Sequence, residues 1–206
     1  MDDTGRSRRN SVVPQFDMVA IGASAGGVEA LHVVVSALPV SFPAAVLIVQ
    51  HMDPRHKSML AGLLARRSKL DVRQAVNGET IHPATVHIAQ PDMHLIVRSG
   101  HLVLTDTKLV HFSRPSIDLL FESVADEYGD RAISVILSGS GVDGAAGTRA
   151  IKAKGGTTII QDPASAAHAG MPQAARATGC VDLTLPLEEI GPALVSLVTP
   201  SAGDGP

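Results

Sequence analysis

Residues 16–27 read Phe16-Asp17-Met18-Val19-Ala20-Ile21-Gly22-Ala23-Ser24-Ala25-Gly26-Gly27. The apolar run that ends in glycines predicts a buried strand followed by a tight turn. The next stretch, GGVEALHVVVSAL, has helical spacing, with Val28, Leu31, Val34, Val35 and Leu38 toward one face, and Pro39 and Pro43 end it. AAVLIVQ, residues 44–50, predicts a second buried strand, and HKSMLAGLLARRS, residues 56–68, a second helix. Apolar runs alternating with helical ones predict βαβ units, hence a doubly wound, mostly parallel α/β sheet with helices on both faces.

The middle of the chain departs from that rhythm. Residues 86–106 contain HLIVR and HLVLT around Ser99-Gly100, which predicts an inserted β-hairpin. A helix over 116–129 is expected to turn Asp118, Glu122 and Glu127 outward. Then come a strand over 132–140, a helix over 143–156 stopped by two glycines, and a strand over 157–162. A short helix over 171–179, a strand over 181–186 and a helix over 187–198 complete the pattern. Residues 1–15 and 199–206 read as flexible tails around one folded domain, 16–198.

The 206 residues are 45% hydrophobic, 18% charged and only 2% aromatic, with a formal net charge of −3. That apolar content argues against a disordered chain. The few aromatics and the absence of a basic field argue against nucleic acid as a partner. One cysteine, Cys180, leaves no disulfide framework or CxxC metal site and fits a reducing, cytoplasmic compartment. No apolar run is long enough to span a membrane, so the chain is not expected to be membrane-embedded. No metal or other cofactor is expected; His82 and His87 are expected at the surface.

Three strand ends carry residues with chemical potential. Ser24 sits as in a G-x-S-x-G elbow, where a strand-to-helix turn projects the hydroxyl and the helix start offers backbone N–H groups. The same glycines also suit a turn that merely packs helix on strand. His51 follows the second strand and could be a base for Ser24 or a capping histidine. Asp143, after Ser138-Gly139-Ser140-Gly141-Val142, could orient that histidine or cap its own helix. In a parallel sheet the three strand ends share one edge. The order Ser…His…Asp is not that of the α/β-hydrolases. A nucleotide-binding turn would need G-x-G-x-x-G, which Gly22-Ala23-Ser24-Ala25-Gly26-Gly27 does not supply, and a carboxylate after the second strand, where Gln50-His51 stands.

IGASAGG, VQHM, SRPSIDLLF, ILSGSGVDGAAG and Gly170-Met171-Pro172 occur in the order seen in the catalytic domain of CheB-type chemotaxis protein-glutamate methylesterases, and residues 16–198 resemble that domain. The resemblance implies hydrolysis of γ-glutamyl methyl esters on the cytoplasmic helices of methylated chemoreceptors, with release of methanol, and deamidation of receptor glutamines. It implies Ser24 as nucleophile, His51 as general base and Asp143 as its orienting carboxylate. It places Ala25 and Ser140 at the oxyanion site, and Arg114, Pro115, Ser116, Asp118, Met171 and Pro172 near the cleft; His168 is expected to be a solvated loop residue. The sequence departs from the family pattern at three positions: Ala25 stands for a usual Thr, Ser140 for Met and Val142 for Asn. A degenerate or non-catalytic interaction domain of the same fold is the alternative those departures leave. About 15 residues precede the first strand, too few for the receiver domain that many members carry. The expectation is therefore a stand-alone or excised enzyme, with a separate regulatory protein as a further partner.

Overall fold

Seven of the apolar and mixed runs pair, all in parallel, in a computed structural model that describes residues 16–52 and 58–199. In chain order the first elements are β1 (Met18–Ala23), α1 (Gly27–Ser36), β2 (Ala45–Gln50), α2 (Leu60–Ala65), β3 (Asp71–Gln74) and β4 (Thr85–Ile88). The hairpin strands β5 (His94–Arg98) and β6 (His101–Thr105) follow, then α3 (Ile117–Tyr128), β7 (Ala132–Ile136), α4 (Ala145–Ala153) and β8 (Thr157–Gln161). The last elements are α5 (Gly170–Arg176), β9 (Leu183–Leu185) and α6 (Leu187–Val198). The sheet order is β3-β4-β2-β1-β7-β8-β9. Met18 of the central β1 pairs with Ala45 of β2 on one side and with Ala132 of β7 on the other. The chain winds outward in both directions from β1, and such a switch point opens a crevice at the carboxyl ends of the strands.

Alternation along the strands divides the interior into two cores. Val19, Ile21, Val46, Ile48, Ile133 and Val135 point to the face covered by α1, α2 and α6, where Leu31, Val34, Leu64 and Leu194 meet them. Met18, Ala20, Leu47, Val49 and Ile136 point to the other face, covered by α3, α4, α5 and the hairpin. Burial on both faces explains why these strands read as unbroken apolar runs. The hairpin turns at Ser99-Gly100 as expected, and the Glu127 carboxylate of α3 accepts from both of their amides at 3.0 Å.

Several expectations need correction. Asp118 lies 3% exposed rather than outward, whereas Glu122 and Glu127 are exposed. Val28 is 38% exposed and adds little to the buried face of α1. His87 is fully buried, because β4 is an inner strand whose two faces are covered; burial pushes its pKa down despite Glu79 nearby. β3 and β4 were not anticipated as members of the sheet: β3 is a short polar edge strand that pairs because β4 offers an open backbone edge. The expected helix over 56–68 is ordered as Leu60–Ala65, and residues 53–57 lie outside the described residues, as do the tails 1–15 and 200–206. Among the described residues no helix is long and apolar enough to cross a membrane.

Helices α3 and α4 lie against one another, and Gly147 permits the contact: a Cβ there would stand 2.5 Å from Phe121 Cβ. Neither atom is the end of a flexible chain. Gly147→Ala is therefore expected to destabilise the fold by about 1–3 kcal/mol, read as a lower denaturant midpoint at unchanged slope.

Candidate active site

Ser24 and His51 leave the sheet side by side. Ala23 pairs with Gln50 in register, and the His51 amide donates to the Ala23 carbonyl at 3.0 Å. Adjacent strands lie about 5 Å apart, so the two α-carbons start as close neighbours. Gln50, 4% exposed, adds a clamp that sequence reasoning missed. Its Nε2 donates to the carbonyls of both Ser24, at 2.8 Å, and His51, at 2.9 Å. Its Oε1 fills the space beside Gly27, 2.3 Å from where a Cβ would lie, so Gly27 has a packing reason to be glycine. The available signal was one polar residue at the end of the buried run AAVLIVQ.

Asp143 reaches the same edge from β7. Its Oδ2 lies 2.8 Å from His51 Nε2. The carboxylate does not cap its own helix, for Gly144 occupies that position and uses no side-chain cap. It lies instead at the start of α3. Oδ1 accepts from Ser116 Oγ at 3.0 Å and from the Asp118 amide at 2.9 Å, and Oδ2 accepts from the Ile117 amide at 2.8 Å. Burial tends to raise the Asp143 pKa; the hydrogen bonds from His51 and the two amides outweigh that and hold it below its ordinary value. An ionised carboxylate only accepts, so His51 carries its proton on Nε2 and presents a basic Nδ1.

Asp118 returns the exchange. Its Oδ1 accepts from the amides of Gly144, at 2.9 Å, and Gly147, at 2.7 Å, at the start of α4, and its Oδ2 lies 3.2 Å from His111 Nε2. Each helix start is thus satisfied by an aspartate from the other. Burial, opposed by the Gly147 and Gly144 bonds and helped by the Asp143 charge, raises the Asp118 pKa. Nothing in the local sequence distinguishes this use of Asp118 from an ordinary acidic first turn.

The glycine turn after β7 interlocks with the turn after β1. The Ser24 amide donates to Ser138 O at 3.0 Å, and Ser138 Oγ donates to Ala25 O at 2.8 Å. Gly139 has room for no side chain: a Cβ would meet Met171 Sδ at 2.1 Å and Ser24 Cβ at 2.9 Å. Met171, 1% exposed, therefore supports this turn from below and lines neither of the clefts described next. Ser140 is exposed. Among the described residues the amides of Ala25 and Ser140 donate to no internal acceptor, and the Ser24 hydroxyl forms no hydrogen bond. The His–Asp link is thus formed here, and the Ser–His link is not.

Two clefts flank His51. One, of about 330 Å³, is lined by His51, Met52 and Asp92 and, from the segment 109–115, by Leu109, Phe112, Ser113, Arg114 and Pro115. The other, of about 240 Å³, is lined by His51, His111, Phe112, Ser140, Val142 and Asp143. Arg114 is committed to the wall: its guanidinium donates to Asp92 Oδ1 at 2.7 Å and to the carbonyls of Asp106 and Thr107. Buried His94 holds the segment from behind, contacting Lys108 O at 3.0 Å through Nε2 and accepting from the Ser116 amide at 3.1 Å. Between the clefts, Val110 and Ser113 exchange two backbone hydrogen bonds across His111 and Phe112, both left-handed at φ 49° and 62°. Each costs on the order of 1 kcal/mol for a residue other than glycine. His168 is exposed, in agreement with a loop role. Among the described residues no group of three His, Cys, Asp or Glu side chains is placed to hold a metal.

The chain matches the family model described as CheB methylesterase over residues 19–194. It is 44% identical over 191 residues to a protein-glutamate methylesterase/protein-glutamine glutaminase of Moorella thermoacetica, covering 90% of this chain and 45% of that protein. A protein of the same description from Anaeromyxobacter dehalogenans is 43% identical over 195 residues, covering 93% of this chain and 57% of its own length. The chain thus spans about half the length of these relatives. The crystal structure of the Thermotoga maritima CheB methylesterase catalytic domain superposes with a TM-score of 0.86 at 35% identity, over 89% of this chain and 99% of that one.

The carboxylate exchange predicts different outcomes for two substitutions. Asp118→Ala leaves the buried Gly144 and Gly147 amides without an acceptor, and a loss of about 2 kcal/mol or more is expected. Asp118→Asn keeps an acceptor oxygen and removes the charge. A carboxyl whose folded pKa is raised contributes stability below its unfolded pKa, near 3.9, that is lost as pH rises through the folded value. The Asn variant lacks that loss, so the Tm difference, variant minus wild type, should grow more positive from pH 4 to pH 7. Thermal unfolding across that range measures it.

Proposed function

The chain belongs to the CheB methylesterase family, and we propose that it hydrolyses glutamate γ-methyl esters on chemoreceptor cytoplasmic helices through Ser24, His51 and Asp143. The observation that carries this reading is the 2.8 Å contact between His51 Nε2 and Asp143 Oδ2, beside a serine on the neighbouring strand end.

In the proposed reaction the ester carbonyl enters next to His51. The Ser24 hydroxyl turns toward Nδ1, a hydrogen bond that substrate tightens. Nδ1 takes the hydroxyl proton as Oγ bonds to the carbonyl carbon. Asp143, held ionised by four donors, stabilises the imidazolium. The oxyanion is received by the amides of Ala25 and Ser140, two donors that side-chain replacement leaves in place. Collapse breaks the bond to methoxide, which leaves as methanol with the proton from Nδ1. Water then attacks the glutamyl–Ser24 ester, giving its proton to Nδ1. Collapse of the second intermediate returns that proton to Ser24 and frees the glutamate carboxyl group. A glutamine amide follows the same route with ammonia as leaving group. No step calls on a cofactor. The Asp143 arrangement uses Nε2 for the carboxylate and Nδ1 for catalysis, the reverse of the chymotrypsin-type assignment.

The proposed substrate sites, on cytoplasmic helices, put the reaction in the cytoplasm. The non-catalytic reading of the same fold gains no support from the paired and deeply anchored His51, since an abandoned base has no need of a buried carboxylate.

Ser24→Ala and His51→Ala are each expected to lower methanol release from methylated receptor fragments by about 10⁴-fold or more. Near wild-type turnover in Ser24→Ala sinks the mechanism.

A further inference from the structure

Phe112 has a position that the proposed chemistry does not require. It is 97% exposed in a chain with four phenylalanines and no tryptophan. It lines both clefts beside His51. Its turn is built rather than loose. Val110 and Ser113 close it with backbone bonds of 3.1 and 2.8 Å, and His111 Nε2 is fixed 3.2 Å from Asp118 Oδ2, on the carboxylate that accepts from the amides at the start of α4. The left-handed backbone at Phe112 is unfavourable for any L side chain, and water offers the ring nothing in return. An exposed aromatic carried on a hydrogen-bonded turn at the mouth of a site is the form a binding anchor takes.

The surrounding rim defines what it binds. Leu109 is 55% and Val142 53% exposed, so three apolar side chains ring the approach to His51. Val142 stands where the family pattern has Asn, which makes this mouth more apolar. The charged pair at the wall, Arg114 and Asp92, is internally neutralised at 2.7 Å. A small ester would be held inside the clefts and would leave the outer face of Phe112 bare.

We propose that Phe112, with Leu109 and Val142, docks the apolar side chains that flank the esterified glutamate on the substrate helix, and so sets selectivity for the protein substrate. On a helix, residues three and four positions from the glutamate share its face and land on this rim. The proposal rests on the reading of the site as a protein-glutamate methylesterase.

The test compares wild type, Phe112→Ala and Phe112→Leu in the full 206-residue chain on two substrates: a methylated receptor cytoplasmic fragment, read by methanol release, and p-nitrophenyl acetate. Phe112→Ala should raise KM for the fragment about tenfold or more, with little change in kcat and a much smaller change on the small ester. Phe112→Leu, which keeps apolar surface, should restore most of the affinity. An unchanged KM in Phe112→Ala, equal losses on both substrates, or no recovery with Leu overturns the proposal while leaving the esterase reading intact. Failure of the wild type to release methanol overturns both.

Discussion

A carboxylate buried to 4% exposure must be met by donors from several directions, and Asp143 imposes that demand on the centre of this fold. Its four donors come from β2, through His51, and from the first residues of α3. Helix α3 can therefore start at only one place, beneath the turn that follows β7. Asp118, carried by that first turn, then accepts the free amides of α4. Two helix starts and two imidazoles, His51 and His111, are tied to two neighbouring carboxylates, one pushed below its ordinary pKa and one above. The hydrogen bonds that make burial of the charge tolerable are the same bonds that aim the histidine.

Backbone does much of the remaining work. The two glycine turns interlock through Ser138, Gln50 holds the carbonyls of both Ser24 and His51, and Gly139 is denied a side chain by Ser24 and Met171. Amides at Ala25 and Ser140 are left with no internal partner among the described residues. A site made largely of backbone groups tolerates replacement of neighbouring side chains. The departures at Ala25 and Ser140 therefore leave the backbone donors of the proposed chemistry in place. Val142 differs: its replacement changes an exposed side chain on the rim of the cleft.

The strands and helices with strong periodicity were legible, because burial on both faces leaves unbroken apolar runs and burial on one face leaves helical spacing. β1, β2, β8 and the hairpin were read close to their observed limits, whereas the strand expected over 132–140 ends at Ile136, before the glycine turn. The polar edge strand β3 was not, since its hydrogen bonds depend on an edge presented by β4 and not on its own residues. His87 was expected at the surface for the same reason: its burial follows from β4 having neighbours on both sides.

At the site, Ser24, His51 and Asp143 could be listed from strand ends alone, and their meeting at one sheet edge follows from parallel pairing. The use of Asp118 could not be read. An aspartate in a first turn looks the same whether it faces water or caps another helix, and only the packing of α3 on α4 decides which. The sequence by itself determined the aliphatic parallel sheet, the glycine turns and the three residues at its edge, because those depend on local periodicity and chain direction. Which nitrogen of His51 faces Asp143, which carboxylate braces it and where Phe112 stands were decided only by tertiary structure, because each depends on groups distant in the chain brought within hydrogen-bonding or van der Waals reach.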